Sequence, residues 1–324
     1  MSGIEIDRRL PEDFFSAALR DDVLKGLTAD PKWLPPKWFY DARGSDLFEE
    51  ITRLPEYYPT RAEREILTAR APEIAALTRA ETLAELGSGS SSKTTLLLDA
   101  LQAAGTLRRY DPIDVSEAAL LASGEQLRRR YPQLTVHAVV TDFEERLAIP
   151  DADGGPRIVA FLGGTIGNLL PEERAVFLTR VRANLRPGEW LLLGTDLVKD
   201  PATLVAAYDD AAGVTAEFNK NVLRVVDREL TADFDPDDFD HVALWDAQAE
   251  WIEMRLRARR DVDVRLKELD LTVSFEAGEE LRTEISAKFR REGVESELAA
   301  AGFALRRWWT DGEGRFGLSL AEGV

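Results

Sequence analysis

The 324 residues include no cysteine. Disulfides, thiolate metal sites and a cysteine nucleophile are therefore excluded, and a reducing compartment is the fitting expectation. Histidine is nearly as scarce. Only His137 and His241 occur, far apart, and both read as structural or surface residues. No metal centre built on three histidines of this chain is possible, and a Ser-His-Asp triad has little to draw on. Positive charge is in deficit, with 41 Lys+Arg against 59 Asp+Glu and a net charge of −18. A chain that neutralises nucleic-acid phosphates needs a basic face, so neither nucleic acid nor an anionic membrane surface is an expected partner. Long apolar runs are missing too. Nothing approaches the ~18 uninterrupted apolar residues of a membrane helix. The opening MSGIEIDRRLPEDFF lacks the apolar core of a signal peptide. The expected location is cytoplasmic.

What is present is a globular profile, with 44% hydrophobic and 31% charged residues, in a length that allows about two domains. Asp13 to Gly26 reads as a short helix, and 34–60 as an irregular, ordered segment whose six aromatics need somewhere to pack. From 61 the pattern alternates. RAEREILTARAPEIAAL is helical in period. Five short apolar strands then follow, ending near Gly87, Asp114, Asp142, Gly163 and Asp196, with helical stretches between them. Such alternation predicts βαβ units and a parallel, Rossmann-like α/β sheet. After Asp196 it stops. Residues 203–226 read as one helix. VALWDAQAEWIEMRLRAR, VDVRLKELDLTVSF and EELRTEISAKF read as antiparallel strands with one wet face. The tail reads as helix, strand, tight turn, strand. The expected division is a sheet domain of 61–196 and 287–324, closed by a C-terminal antiparallel hairpin. An α+β domain of 1–60 and 197–286 would be inserted into it.

The sharpest local feature is ELGSGSSSKT (85–94), at a strand's carboxyl end and a helix's start. Glycines 87 and 89 let backbone pass close to a ligand, in the place where open parallel sheets bind ligands. A dinucleotide fingerprint would need a third glycine, but Ser92 stands there. The next strand-end acid, Asp114, lies 27 residues beyond Gly87 instead of about 20. Asp114 suits the two hydroxyls of a ribose, and Asp142 with Phe143 suits an adenine edge and face. Lys93 suits a carboxylate on the same ligand. The acids fit a cationic sulfonium better than a pyrophosphate. Each has a plainer reading: a tight turn for G-S-G, and helix capping for Asp114 or Asp142.

Longer strings carry more. LPPKWFYDARGSDLFEEITRLPEYYPTRAE, ELGSGSSSKT, FLGGTIGN, LLLGTDLVKD, YDDAAGVTAEFNKNVL and FGLSLA together resemble the class I S-adenosylmethionine-dependent methyltransferases. Within these they resemble the L-histidine Nα-methyltransferases of ergothioneine biosynthesis, from about residue 20 to the end. The resemblance implies threefold methylation of the histidine α-amine to hercynine, with S-adenosylmethionine as donor and no metal. It implies that the N-terminal block and the insertion bind substrate. Cofactor positions fall on Gly87, Lys93, Asp114, Asp142 and Phe143, with Gly163 and Thr165 lining the fourth strand end. Substrate positions fall on Tyr57, Asn168, Tyr208, Met254, Glu284 and Ser286, and Tyr40 is the candidate to hold the amine or relay its proton.

The residue types suit that chemistry. Tyrosine hydroxyls and Asn168 can donate to a carboxylate without a cation that would repel a sulfonium. Glu284 and Ser286, two apart on a strand, share a face and can serve the two imidazole nitrogens. Taken singly, Tyr57, Tyr208 and Met254 also read as core, Asn168 as a turn residue, and Glu284 with Ser286 as solvated surface. The acidic run 231–240 reads as a solvated turn. The competing substrate is another free amino acid such as tryptophan, although Glu284 favours imidazole over indole. A dinucleotide-binding regulator or oxidoreductase is opposed by the broken glycine motif. No coiled-coil or apolar seam is evident, so a monomer with a small-molecule substrate is expected.

Overall fold

The computed structural model describes residues 5–11, 13–89, 93–142, 147, 149–151 and 154–324. In chain order its elements are β1 (Glu5–Arg8), α1 (Phe14–Leu27), α2 (Ala42–Ile51), α3 (Pro59–Thr78), β2 (Thr82–Leu86), α4 (Thr94–Ala103), β3 (Arg109–Asp114), α5 (Glu117–Arg130), β4 (Thr135–Val140), β5 (Arg157–Phe161), α6 (Pro171–Ala183) and β6 (Trp190–Asp196). They continue as α7 (Pro201–Tyr208), α8 (Val214–Leu230), β7 (Phe239–Asp246), β8 (Trp251–Ala258), β9 (Val262–Leu266), β10 (Leu271–Phe275), β11 (Glu280–Ala287), α9 (Arg291–Ala300), β12 (Phe303–Thr310) and β13 (Phe316–Gly323). Two compact units result. One holds the described residues up to Leu10, Pro59–Leu197 and Phe289–Val324. The other holds Pro11–Tyr58 and Val198–Lys288.

The first unit is built on an eight-stranded sheet of order β1-β4-β3-β2-β5-β6-β13-β12. β2 and β5 are buried along their whole length, as central parallel strands covered on both faces must be. The chain runs outward from β2 to β3 and β4, then returns to β5 on the other side of β2. That reversal is a topological switch point, and ligands bind at the strands' carboxyl ends there. β13 pairs antiparallel with β6 and β12, which gives the mostly parallel sheet its expected C-terminal antiparallel hairpin. Leu83, Leu97, Ile158, Leu192 and Leu318 are among the core residues.

The start of the chain differs from expectation. The sequence pattern places residues 1–60 with the inserted domain, but β1 pairs in parallel with β4 at the sheet edge and belongs to the first unit. EIDR has no apolar alternation, so its strand character comes from the partner's free edge.

The second unit packs a three-stranded antiparallel sheet, order β11-β8-β7, against α8. Phe218, Val222 and Val226 of the helix meet Ile252, Met254 and Leu256 of β8 in one core. The single helix expected over 203–226 is two. Asp210 accepts from the backbone N–H groups of Val214 (3.0 Å) and Thr215 (2.7 Å), and Gly213 takes φ +74°. Local capping thus overrides a continuous apolar period. Burial alone would raise the Asp210 carboxyl, but the bonds from Thr215 and Val214 hold it low. The run 242–259 likewise breaks into β7 and β8, where Asp246 accepts from Gln248 and Ala249 N–H. Among the described residues no helix is long and apolar enough to cross a membrane.

Candidate active site

In the first unit the expected cofactor residues gather at the carboxyl ends of β2 to β5. Gly87 and Gly89 take φ +67° and +47°, the left-handed region that glycine enters without a Cβ penalty. Among the described residues nothing stands within 4 Å of where a Gly89 Cβ would be. The Asp114 carboxylate anchors the turn, accepting from Gly89 N–H (3.0 Å) and Ser116 N–H (2.9 Å). Burial raises this carboxyl, and the bonds from Ser116, Gly89 and Val115 only partly offset it. Ser116, not Asp114, caps α5 by accepting from Ala119 N–H. Asp142 is buried just past β4, where Thr141 N–H donates to the Asp114 carbonyl (3.1 Å). Phe143 lies outside the described residues.

Glu85 sits beneath the turn. Its oxygens accept from Thr94 Oγ1 at 2.7 Å and from Tyr110 Oη at 2.5 Å. Burial pushes its pKa from 4.5 up to about 7, against the Thr94 and Tyr110 bonds and the Lys93 charge, while Glu63 adds to the rise. A raised acid means the folded state holds a proton that the unfolded state releases. Its stabilising effect is therefore complete below about pH 4.5 and is lost as pH climbs to about 7. Glu85→Gln should remove that part of the slope in denaturant melts run between these limits. An unchanged slope would contradict the protonated, buried acid.

A residue that sequence reasoning missed organises the other side. Glu63 of α3 is fully buried. It pairs with Lys93 and accepts from Gly163 N–H (2.8 Å). It fits because Gly194 of β6 has no side chain: a Cβ there would lie 2.2 Å from Glu63 Oε1. The Lys93 cation is thus paired within the protein. Gly163 takes φ +82°, and a Cβ on it would stand 3.5 Å from Thr165 Oγ1 and 3.8 Å from Lys93 Nζ. Asn168 ends the short 3-10 turn Thr165–Asn168 that follows.

The second unit collects the remaining candidates. β11 carries a bulge between Arg282 and Glu284, and one extra residue switches which side chains share a face. Glu284 and Ser286 thereby pair with Met254 and Ile252, on the side of the core that Met254 and Ile252 occupy. The extra residue, Thr283, donates to Asn219 Oδ1 (2.5 Å) and the Met254 carbonyl (3.0 Å). Asn219 Nδ2 in turn donates to His241 Nδ1 (2.8 Å), so Nε2 of that ring carries the proton and donates to the Tyr208 carbonyl (2.8 Å). Burial holds the His241 pKa below its usual value, in keeping with this neutral form. One buried chain therefore ties the bulge to the end of α7. Tyr208 Oη lies 2.7 Å from Ser286 Oγ. Lys288, which the sequence reading passed over, donates to both oxygens. The donors here include a cation.

Aromatic edges link the rest: Tyr40 to Phe48 (5.6 Å), Phe48 to Tyr57 (6.2 Å) and Tyr57 to Tyr208 (6.5 Å). Tyr40 is 48% exposed, yet its loop is fixed. Asn221 Nδ2 donates to the Phe39 carbonyl (3.0 Å) and Asp41 Oδ1 (2.8 Å), and Arg228 donates to Asp41 Oδ2 (2.7 Å). Burial opposes the charge on Asp41, but bonds from Gly44, Arg228 and Asn221 outweigh it and lower the carboxyl. An alanine Cβ at Gly44 would stand 1.7 Å from the Phe39 carbonyl oxygen. Gly44→Ala should lose about 2–3 kcal/mol despite its better helix propensity, as overpacking does. A melting temperature at or above that of the unchanged chain would contradict it.

Known proteins resemble this chain throughout. The model of the SAM-dependent, histidine-specific methyltransferases matches residues 19–323. A histidine N-alpha-methyltransferase of Mycobacterium tuberculosis is 58% identical over 98% of this chain and 99% of its own. One of Mycolicibacterium smegmatis is 59% identical over 96% and 97%. Ergothioneine biosynthesis protein 1 of Neurospora crassa is 36% identical over 60% of this chain and 22% of its own.

Proposed function

Because this chain belongs to the S-adenosylmethionine-dependent, histidine-specific methyltransferase family, we propose that it methylates the α-amino group of L-histidine. Three transfers give hercynine, the first step of ergothioneine biosynthesis. The observation that carries the choice of acceptor is the bulged face of β11, where Glu284 and Ser286 stand beside Tyr208 and Met254.

The residues fit a nucleoside sulfonium. Gly89 bares its backbone, Asp114 is held rigid for a ribose, and Asp142 is buried at the next strand end. Bound S-adenosylmethionine supplies an electrophilic methyl group. Lys93, steadied by Glu63, takes its carboxylate, and Gly163 with Thr165 borders it. On the acceptor side Tyr57 and Asn168 hold the histidine carboxylate, and Tyr208 backs Ser286 through their mutual hydrogen bond. Glu284 accepts from an imidazole N–H, Ser286 serves the other ring nitrogen, and Met254 bounds the ring. Such pairing rejects side chains that leave these groups without partners. The α-amine must shed a proton before attack. Its pKa, roughly 8 for an α-amino group, makes that accessible near neutral pH, and a nearby sulfonium lowers it further. The Tyr40 hydroxyl holds the amine and passes its proton outward. The rest is alignment of nitrogen, methyl carbon and sulfur. No metal is required, and a single chain is the active form.

A ligand that binds only the folded chain raises its melting temperature by mass action. S-adenosylhomocysteine and histidine should each do so here. NAD and tryptophan should not. A response to NAD, or to tryptophan in place of histidine, would overturn this reading.

A further inference from the structure

Lys288 directly follows β11 and is only 4% exposed. Its Nζ donates to Ser286 Oγ at 2.8 Å and to Tyr208 Oη at 2.9 Å, and those oxygens stand 2.7 Å apart. The ammonium also lies 4.7 Å from the Tyr208 ring centroid. Burying an ammonium is costly, and Tyr208 and Ser286 could bond to each other without it. Proton counting shows what the lysine adds. An ammonium only donates, whereas a hydroxyl has one proton and can also accept. Both hydroxyls must therefore turn a lone pair toward Lys288. One of their two protons lies in the Tyr208–Ser286 contact. The other has to leave the triangle. Without the ammonium, either oxygen is free to offer a lone pair or a proton.

We propose that Lys288 is a positioning residue for the acceptor amino acid. It fixes Tyr208 and Ser286 as acceptors toward itself; with the Tyr208 proton in their mutual contact, Ser286 donates its own to the imidazole nitrogen that bears none. Glu284 accepts from the other ring nitrogen. Together they read the ring as one donor and one acceptor, the pattern of neutral imidazole. A side chain without an acceptor at that point leaves the Ser286 proton unpaired, which is costly in a buried site. The proposal rests on the reading that Ser286 and Glu284 contact the imidazole.

The test is a double-mutant cycle on the full chain, with Lys288→Met, Ser286→Ala and the pair. Lys288→Met keeps the length of the side chain and removes its donors. The histidine KM should rise at least about tenfold, with S-adenosylhomocysteine affinity within about twofold by calorimetry. In the Ser286→Ala background the same change should add less than about threefold, because Lys288 acts through that hydroxyl. A histidine KM within about twofold of the unchanged enzyme, or effects that multiply in full, would overturn the proposal. Should Lys288→Met fail to melt cooperatively, Lys288→Gln, which keeps an N–H donor without the charge, decides by the same cycle: a near-normal KM supports it, and full loss assigns the effect to charge alone and overturns it. If the unchanged enzyme fails to methylate histidine at all, the functional reading fails instead, and the two failures are distinct.

Discussion

Glu284→Ala should raise the histidine KM by about 10- to 100-fold, the equivalent of one hydrogen bond to a charged group, while S-adenosylhomocysteine binds as before. The asymmetry follows from placement. Glu284 belongs to the second unit, on the bulged face of β11 opposite Met254. The glycine turn, Asp114 and Asp142 belong to the first. Calorimetry with each ligand separates the two. Equal loss of both affinities would mean that Glu284 supports the fold generally, and its assignment to the imidazole would fall.

Glu63→Ala should act the other way, weakening the donor side and destabilising the chain together. The variant leaves the Lys93 ammonium without its buried partner and Gly163 N–H without its acceptor. Breaking one member of a buried pair costs about 3–5 kcal/mol. A cooperative melt should shift accordingly, and S-adenosylhomocysteine affinity should fall by more than histidine affinity. Glu63→Gln, which can still accept from Gly163, should recover part of the stability. Full stability in Glu63→Ala would show that the pairing with Lys93 contributes nothing.

The sheet was legible because its signal is local. TLAEL and RIVAF are mostly apolar, and a Gly/Ser turn or a helix follows each strand. The candidate residues Tyr40, Tyr57 and Tyr208 were named because long strings carried the resemblance there. What escaped depends on distant partners. β1 is a strand only because β4 offers an edge. Glu63 lies among alternating charges in RAERE and reads as surface; only the bare Cα of Gly194 makes room for it. Lys288 reads as a wet residue ending a strand, yet Tyr208, far earlier in the chain, covers it. Period-two counting places Glu284 and Ser286 on one face, but which face is decided by the extra residue Thr283, held by Asn219.

The most direct test of the whole account is the product. Histidine incubated with the enzyme and S-adenosylmethionine carrying a ¹³C methyl group should yield a species with three labelled methyls, all on the α-nitrogen by NMR, and an unlabelled ring. Label on an imidazole nitrogen, or none on histidine, would contradict it.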